Sequence, residues 1–205
     1  GKTGLALKKI NGAFVAGIEM TPAAAKQAKN ILDDVIHGDI ETIDLPYSDG
    51  SFDCIIFADV LEHLVDPLST LVKVRRLLKA GGTVVTSIPN VQFHAVIHQL
   101  IEGNWTYEKE GILDETHLRF FTYKEILKMF TRAGYTIHEI GEVMDPQYEK
   151  FSLNNATALN FGRTQISDLS PEEIKKFFVF QYLITAKPTN VNENEDNDMF
   201  QHGEA

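Results

Sequence analysis

The sequence predicts an α/β fold, a doubly wound sheet that is mostly parallel and carries an antiparallel last strand. Three observations predict it. Strand-like runs end in acids: residues 13–18 run into Glu19, residues 35–38 into Asp39, and residues 52–58 into Asp59. Helix-like and strand-like segments alternate up to residue 88, the pattern of right-handed βαβ crossovers. Two further strand-like runs, 135–142 and 177–186, follow without full alternation, so the final one is expected to insert antiparallel. Ligands of open α/β sheets bind outside the carboxyl ends of the strands. Acids placed there accept hydrogen bonds from ribose hydroxyls or an adenine amine, which describes a nucleoside-type cofactor site.

The elements follow in order. Residues 4–10 open a helix with Leu5, Leu7 and Ile10 apolar, and Gly12 ends it. Residues 13–19 are apolar without alternation, as in a strand buried on both faces. Thr21-Pro22 supplies an N-cap and a proline at the first helical position, and the helix is expected to reach Ile31. A short strand follows near 34–38. The stretch Leu45 to Ser51 is a turn, and 52–58 is a strand. Asp66-Pro67 caps a helix with Leu68, Leu71, Val72 and Leu78 on one face, closed by Gly81-Gly82. Residues 83–88 form a strand stopped by Pro89-Asn90. Thr122 and Glu125 form a capping-box pattern before a helix to about 133, with Gly134 as terminator. Residues 145–169 read as irregular, and Ser170-Pro171 starts a short helix.

With 205 residues, the chain suits one domain, expected over 1–187, followed by an acidic disordered tail over 188–205. Half of the formal net charge of −10 lies in that tail, on Glu193, Glu195, Asp196, Asp198 and Glu204. No basic stripe is visible, which argues against nucleic-acid binding through phosphates. No apolar run approaches the ~18 residues of a membrane span, so no membrane partner is expected. The single Cys54 sits in an apolar run and is read as core. One cysteine excludes an internal disulfide framework, and a reduced, cytoplasmic setting is the expectation.

These pieces resemble the class I S-adenosylmethionine-dependent methyltransferases, a Rossmann-like family, over about residues 1–187. Glu19 falls 18 residues after Gly1, where that family places the acid for the ribose hydroxyls. Gly38-Asp39-Ile40 resembles the segment holding the adenine. The stretch from Phe52 to Leu64 resembles the fourth motif, and Leu77 to Gly82 the turn before the fifth strand. Gly1 resembles the last glycine of the family's GxGxG loop, so a strand and the earlier glycines are expected upstream. His117-Leu118-Arg119-Phe120-Phe121-Thr122 is similar to a subgroup acting on small molecules, sugars or polysaccharide-associated substrates.

The resemblance implies S-adenosylmethionine as cofactor, held by Gly1, Gly4, Glu19, Met20, Asp39, Ile40, Asp59 and Val60. It implies O-methylation of a small-molecule or sugar-like acceptor, with segments 89–121 and 145–175 forming the acceptor walls.

Methyl transfer is a displacement at a sulfonium and requires a nucleophile held in line. A positioned base helps when that nucleophile is a hydroxyl. His117 is the first candidate base and His63 the reserve, because imidazole titrates near neutrality. The plain alternative for His117 is a structural histidine bonding a carbonyl. An acid ending an apolar strand is poorly explained by packing, which favours a ribose role for Glu19. Asp39 is equally explained by a turn, and Gly4 by close helix packing.

Asp59, Glu62 and His63 have the i, i+3, i+4 spacing that can hold a divalent cation. Some related O-methyltransferases carry Glu-x-x-Glu-His with metal here, but the shorter Asp59 replaces the first Glu. The expectation is therefore no metal and turnover without added cation. His94 and His98 lie four apart without a third ligand in sequence. Trp105 and Tyr107 are candidates to line an acceptor pocket.

Three rival readings stand beside this one. Gly1-Lys2-Thr3 also matches the end of a P-loop. A ribose-binding acid is shared with NAD-binding domains. A non-catalytic chain could keep the fold as an interaction module.

Overall fold

A computed structural model describes residues 2–152 and 157–189. The chain divides into two compact units, Gly1–Tyr47 and Ser48–Ala205.

In the first unit α1 (Lys2–Asn11) leads to β1 (Ala16–Glu19), α2 (Pro22–Ala28) and β2 (Asp34–His37). Strands β1 and β2 pair in parallel, Ala16 opposite Asp34 through Glu19 opposite His37. Thr21 caps α2 as expected, its hydroxyl accepting from Ala24 N at 3.3 Å. Strand β1 is shorter than the apolar run suggested. Ahead of it, Val15 N is drawn to the Asp33 carboxylate at 2.8 Å and Val15 O accepts from Asp33 N at 2.9 Å. Helix α2 stops three residues before Ile31, whose N–H turns back to Ala28 O at 2.9 Å.

The second unit holds β3 (Phe52–Ala58), a 3₁₀ turn (Leu61–His63), α3 (Pro67–Arg75), β4 (Leu78–Pro89) and α4 (His94–Ile101). It continues with α5 (Tyr123–Arg132), β5 (Tyr135–Met144), α6 (Gln147–Ser152), β6 (Leu159–Phe161), β7 (Thr164–Ile166), α7 (Pro171–Phe178) and β8 (Val179–Pro188). Four strands form one sheet in the order β3-β4-β8-β5. Strands β3 and β4 are parallel, and β8 runs antiparallel to both of its neighbours. The expected antiparallel last strand is therefore present and inserted between β4 and β5. Its core gathers Leu71, Val84, Ile88, Ile126, Phe130, Tyr182 and Ile184, all fully buried.

Several local expectations are corrected. Helix α3 does not run to the glycines. It ends at Arg75, and Leu78 opens β4, with Phe52 N donating to the preceding Leu77 O at 2.9 Å. Val72 is exposed, while Thr70, Leu71 and Val74 make the buried face of α3. The capping box at Thr122 does not form: the Thr122 side chain makes no capping hydrogen bond, and Glu125 pairs with Lys128 at 2.7 Å. A complete box caps α7 instead, through Ser170 and Glu173.

Segment 145–169 is not irregular throughout. The alternation of Leu159 and Phe161, turned at Gly162 (φ 59°), makes a hairpin that buries both side chains against Ile174 and Phe177. Cys54 is exposed rather than core, because β3 is an edge strand among the described residues. Of the expected tail, Pro188 closes β8 and Thr189 N donates to Gly134 O at 2.9 Å. Residues 190–205 and Gly1 lie outside the described residues.

Candidate active site

In the first unit, two acids follow the carboxyl ends of two parallel strands. Glu19 closes β1, is half-buried, and its carbonyl accepts from Gly38 N at 3.0 Å. Asp39 follows β2, and its side chain accepts from Glu41 N at 2.9 Å while Ile43 N donates to its carbonyl at 3.0 Å. Asp39 therefore makes the turn that its plain reading anticipated. Met20 is 74% exposed and Ile40 half-buried. Gly4 is explained by packing: a Cβ there would stand 2.5 Å from Leu32 Cδ2.

In the second unit, Asp59 follows β3. Its carboxylate is held by Ser87 Oγ at 2.9 Å and by Gln181 Nε2. Val60 opens the 3₁₀ turn, and Leu61, with no exposure, pins that turn into the core. Glu62 is carried in with it and is only 1% exposed. The stretch after residue 116 docks on the same turn, because Leu118 N and Arg119 N both donate to Glu62 O, at 2.8 and 3.0 Å. That docking brings His117 against Glu62 and His63. One ligand atom from each of the three lies within 4.8 Å of the others.

The sequence spacing put Asp59 in this trio; the structure puts His117 there, while Asp59 is engaged by Ser87 and Gln181. No local signal announces His117 as the partner, since only the return of the chain places it.

The ring nitrogens can be assigned from their partners. His117 Nδ1 lies 2.9 Å from Ile112 O, and His63 Nδ1 lies 3.2 Å from Thr116 O and 3.1 Å from Thr116 Oγ1, a hydroxyl that donates its own proton to Asp114 Oδ1. A carbonyl only accepts, so each Nδ1 carries the proton and each neutral ring keeps a lone pair on Nε2. The two rings meet edge to face at 4.7 Å. His117 Nε2 stands 4.0 Å from Glu62 Oε1, short of a hydrogen bond. Both Glu62 oxygens are without a hydrogen-bond partner among the described residues. Burial pushes the Glu62 carboxyl up to about 7, and the charges of Asp59 and Asp114 add to the rise.

Two imidazole lone pairs and a buried carboxylate form a donor set suited to a divalent cation. Histidines that donate their second N–H to carbonyl oxygens are the usual supporting shell of such a site. An orphaned buried carboxylate is what a missing cation or a missing proton leaves behind. The residues present therefore fit a metal ion.

His94 and His98 are not part of a metal group among the described residues; His94 Nε2 bonds Asp145 Oδ2 at 2.9 Å. Trp105 and Tyr107, 37% and 51% exposed, lead inward through Phe120. Trp105 packs on Phe120 edge to face at 5.2 Å, and Phe120 lies 6.4 Å from the His117 ring.

A family model described as "Methyltransferase domain" matches residues 2–140. A ubiquinone biosynthesis O-methyltransferase from Aromatoleum aromaticum is 26% identical over 157 residues, covering 73% of this chain and 67% of that protein. Two further curated relatives are matched over 34% and 68% of their own length.

Among solved structures, an S-adenosylmethionine-dependent methyltransferase of Thermotoga maritima, described as a possible histamine N-methyltransferase, superposes with a TM-score of 0.54 at 19% identity, covering 84% of this chain and 72% of that one. The 1,6-didemethyltoxoflavin N1-methyltransferase of Burkholderia thailandensis, solved with S-adenosylhomocysteine, gives 0.53 at 15% identity, covering 90% and 65%. At these identities the structural likenesses speak for the fold. No described helix is long and apolar enough to cross a membrane.

Proposed function

This chain belongs to the methyltransferase-domain family, with S-adenosylmethionine as its methyl donor, and from that premise we propose that it methylates a hydroxyl oxygen of a small, ring-bearing acceptor, sugar-like or aromatic. The observation that carries the acceptor half is the convergence of Glu62, His63 and His117 beside the aromatic run from Trp105 to Phe120. Sugar and aromatic rings both pack on aromatic side chains. The relatives named as O-methyltransferases are consistent with an oxygen nucleophile. A cytoplasmic setting belongs to the same reading.

Glu19 is assigned to the ribose hydroxyls, because a carboxylate offers two oxygens to a vicinal diol. Asp39 and Ile40 are assigned to the adenine, and Gly1, Gly4 and Met20 to the cofactor's surroundings. Asp59 and Val60 are likewise assigned to the cofactor. His117 is assigned as base: Ile112 O holds its tautomer, and Glu62 stands ready to stabilise the imidazolium once the hydroxyl proton arrives. His63 is the reserve base.

Calorimetry tests the cofactor half. Glu19→Ala should weaken S-adenosylmethionine binding by roughly 1.5–3 kcal/mol, the range for hydrogen bonds to a charged group. Equal affinity in mutant and parent would remove the assignment.

The partnerless Glu62 favours a second reading of the same cluster. In it, Glu62, His63 and His117 hold a divalent cation, which supplies Lewis-acid activation of the acceptor hydroxyl. The sequence reading expects turnover without added cation. A rate that survives EDTA supports His117 as base; a rate that collapses and returns with a divalent cation makes the three residues ligands.

A further inference from the structure

Asp59 stands at φ 53°, and the only other described non-glycine residue with positive φ is Asp168. The left-handed region strains residues with a Cβ, although Asp and Asn bear it better than most. Such strain persists only where the surroundings over-determine it, and here two other strands do so. Ser87 Oγ on β4 accepts from Asp59 N at 2.9 Å and donates to Asp59 Oδ1 at 2.9 Å. Gln181 Nε2, on β8 opposite Pro89 of β4, donates to the same Oδ1. Both bonds fall on one oxygen. Oδ2 takes no hydrogen bond among the described residues, and Asp59 is exposed.

Fold stability does not account for this arrangement. Bonds to an exposed carboxylate largely replace bonds to water, and glycine would fill the turn without strain. Ser87 and Gln181 are neutral, so neither forms an ion pair with the carboxylate, which offers one oxygen beyond the carboxyl end of β3, on the edge where open α/β sheets bind ligands.

We propose that Ser87 and Gln181 are positioning residues that hold the free oxygen of Asp59 towards a cationic amino group, the ammonium at the amino-acid end of S-adenosylmethionine. This rests on the assignment of Asp59 to the cofactor. A carboxylate with one oxygen immobilised recognises an ammonium more strongly than a neutral donor, because both partners are charged. Fixing the carboxylate beforehand removes the entropy that a free side chain would lose on binding.

The test titrates two ligands, S-adenosylhomocysteine and 5′-methylthioadenosine, which lacks the amino-acid end. They are titrated into the parent, Ser87→Ala, Gln181→Leu, Asp59→Gly and the Gln181→Leu/Asp59→Gly double variant, with melting temperatures measured in parallel. Ser87→Ala, Gln181→Leu and Asp59→Gly should each weaken S-adenosylhomocysteine by about tenfold and leave 5′-methylthioadenosine unchanged. The double variant should bind no more weakly than Asp59→Gly alone, because Gln181 acts through Asp59. Asp59→Gly should melt no lower than the parent.

Unchanged S-adenosylhomocysteine affinity in Gln181→Leu overturns the inference. So do equal losses for both ligands, fully additive losses in the double variant, or lowered melting with affinity retained. A parent that binds neither ligand overturns the cofactor reading beneath it, and is told apart by the parent's own titration.

Discussion

Replacing His117 by alanine should lower kcat by ~10²–10⁴-fold, the usual contribution of a positioned general base, while S-adenosylhomocysteine affinity stays near the parent value. The expectation follows from the geometry. His117 is 7% exposed, and its Nδ1–H is committed to Ile112 O at 2.9 Å, so only Nε2 is available to take a proton. The nearest acid to that nitrogen, Glu62 at 4.0 Å, gains a favourable partner when the imidazole becomes charged. Steady-state and single-turnover rates across pH 6 to 9 decide the matter. An unchanged kcat throughout that range excludes His117 as base and shifts the role to His63 or to positioning alone. A purely structural His117 would lower the melting temperature and leave the rate of the remaining folded enzyme intact.

Glu62 should make the protein less stable as pH rises from about 4.5 to about 7. Its folded carboxyl titrates near 7 because of burial, against an ordinary value of 4.5. Below the lower value both folded and unfolded chains are protonated, and the group contributes no penalty. Between the two values the unfolded chain ionises first, so each pH unit costs about 1.4 kcal/mol. Above 7 the loss levels off at roughly 3 kcal/mol. Glu62→Gln keeps the size and removes the charge, so its stability should be higher than the parent's at pH 8 and similar at pH 4.5. Chemical denaturation at both pH values measures the difference. A parent and variant with parallel pH profiles would refute the buried-carboxyl account. If the cluster holds a cation, adding that cation at pH 8 should restore the parent's stability and leave Glu62→Gln unchanged, because binding to the native state alone stabilises it.

Much of the frame was legible in sequence because its causes are local. The Thr21-Pro22 and Asp66-Pro67 caps form where a short polar side chain precedes a proline, and Asp66 accepts from Ser69 N at 3.0 Å as that pattern requires. The run 52–58 folds as β3 because seven neighbouring residues carry the signal themselves. The antiparallel last strand followed from the missing alternation before it. Departures fell where another partner, distant or near, displaced the expected one. Leu78 opens β4 although its spacing continues a helix, and the preceding Leu77 gives its carbonyl to Phe52 N. Glu125 had the right spacing for a capping box, but Lys128 takes its carboxylate.

By itself, then, the sequence determined the α/β class, an antiparallel last strand and the acids at the ends of β1, β2 and β3, each written in a few adjacent residues. Only the tertiary structure decided which of those acids keep company with other chemistry. It turned Asp59 to Ser87 and Gln181, and it paired Glu62 with His117 in place of Asp59. The physical reason is that hydrophobic periodicity and capping act within a turn or a strand. The meeting of residue 62 with residue 117 depends instead on how the intervening chain returns and docks its N–H groups on the Glu62 carbonyl.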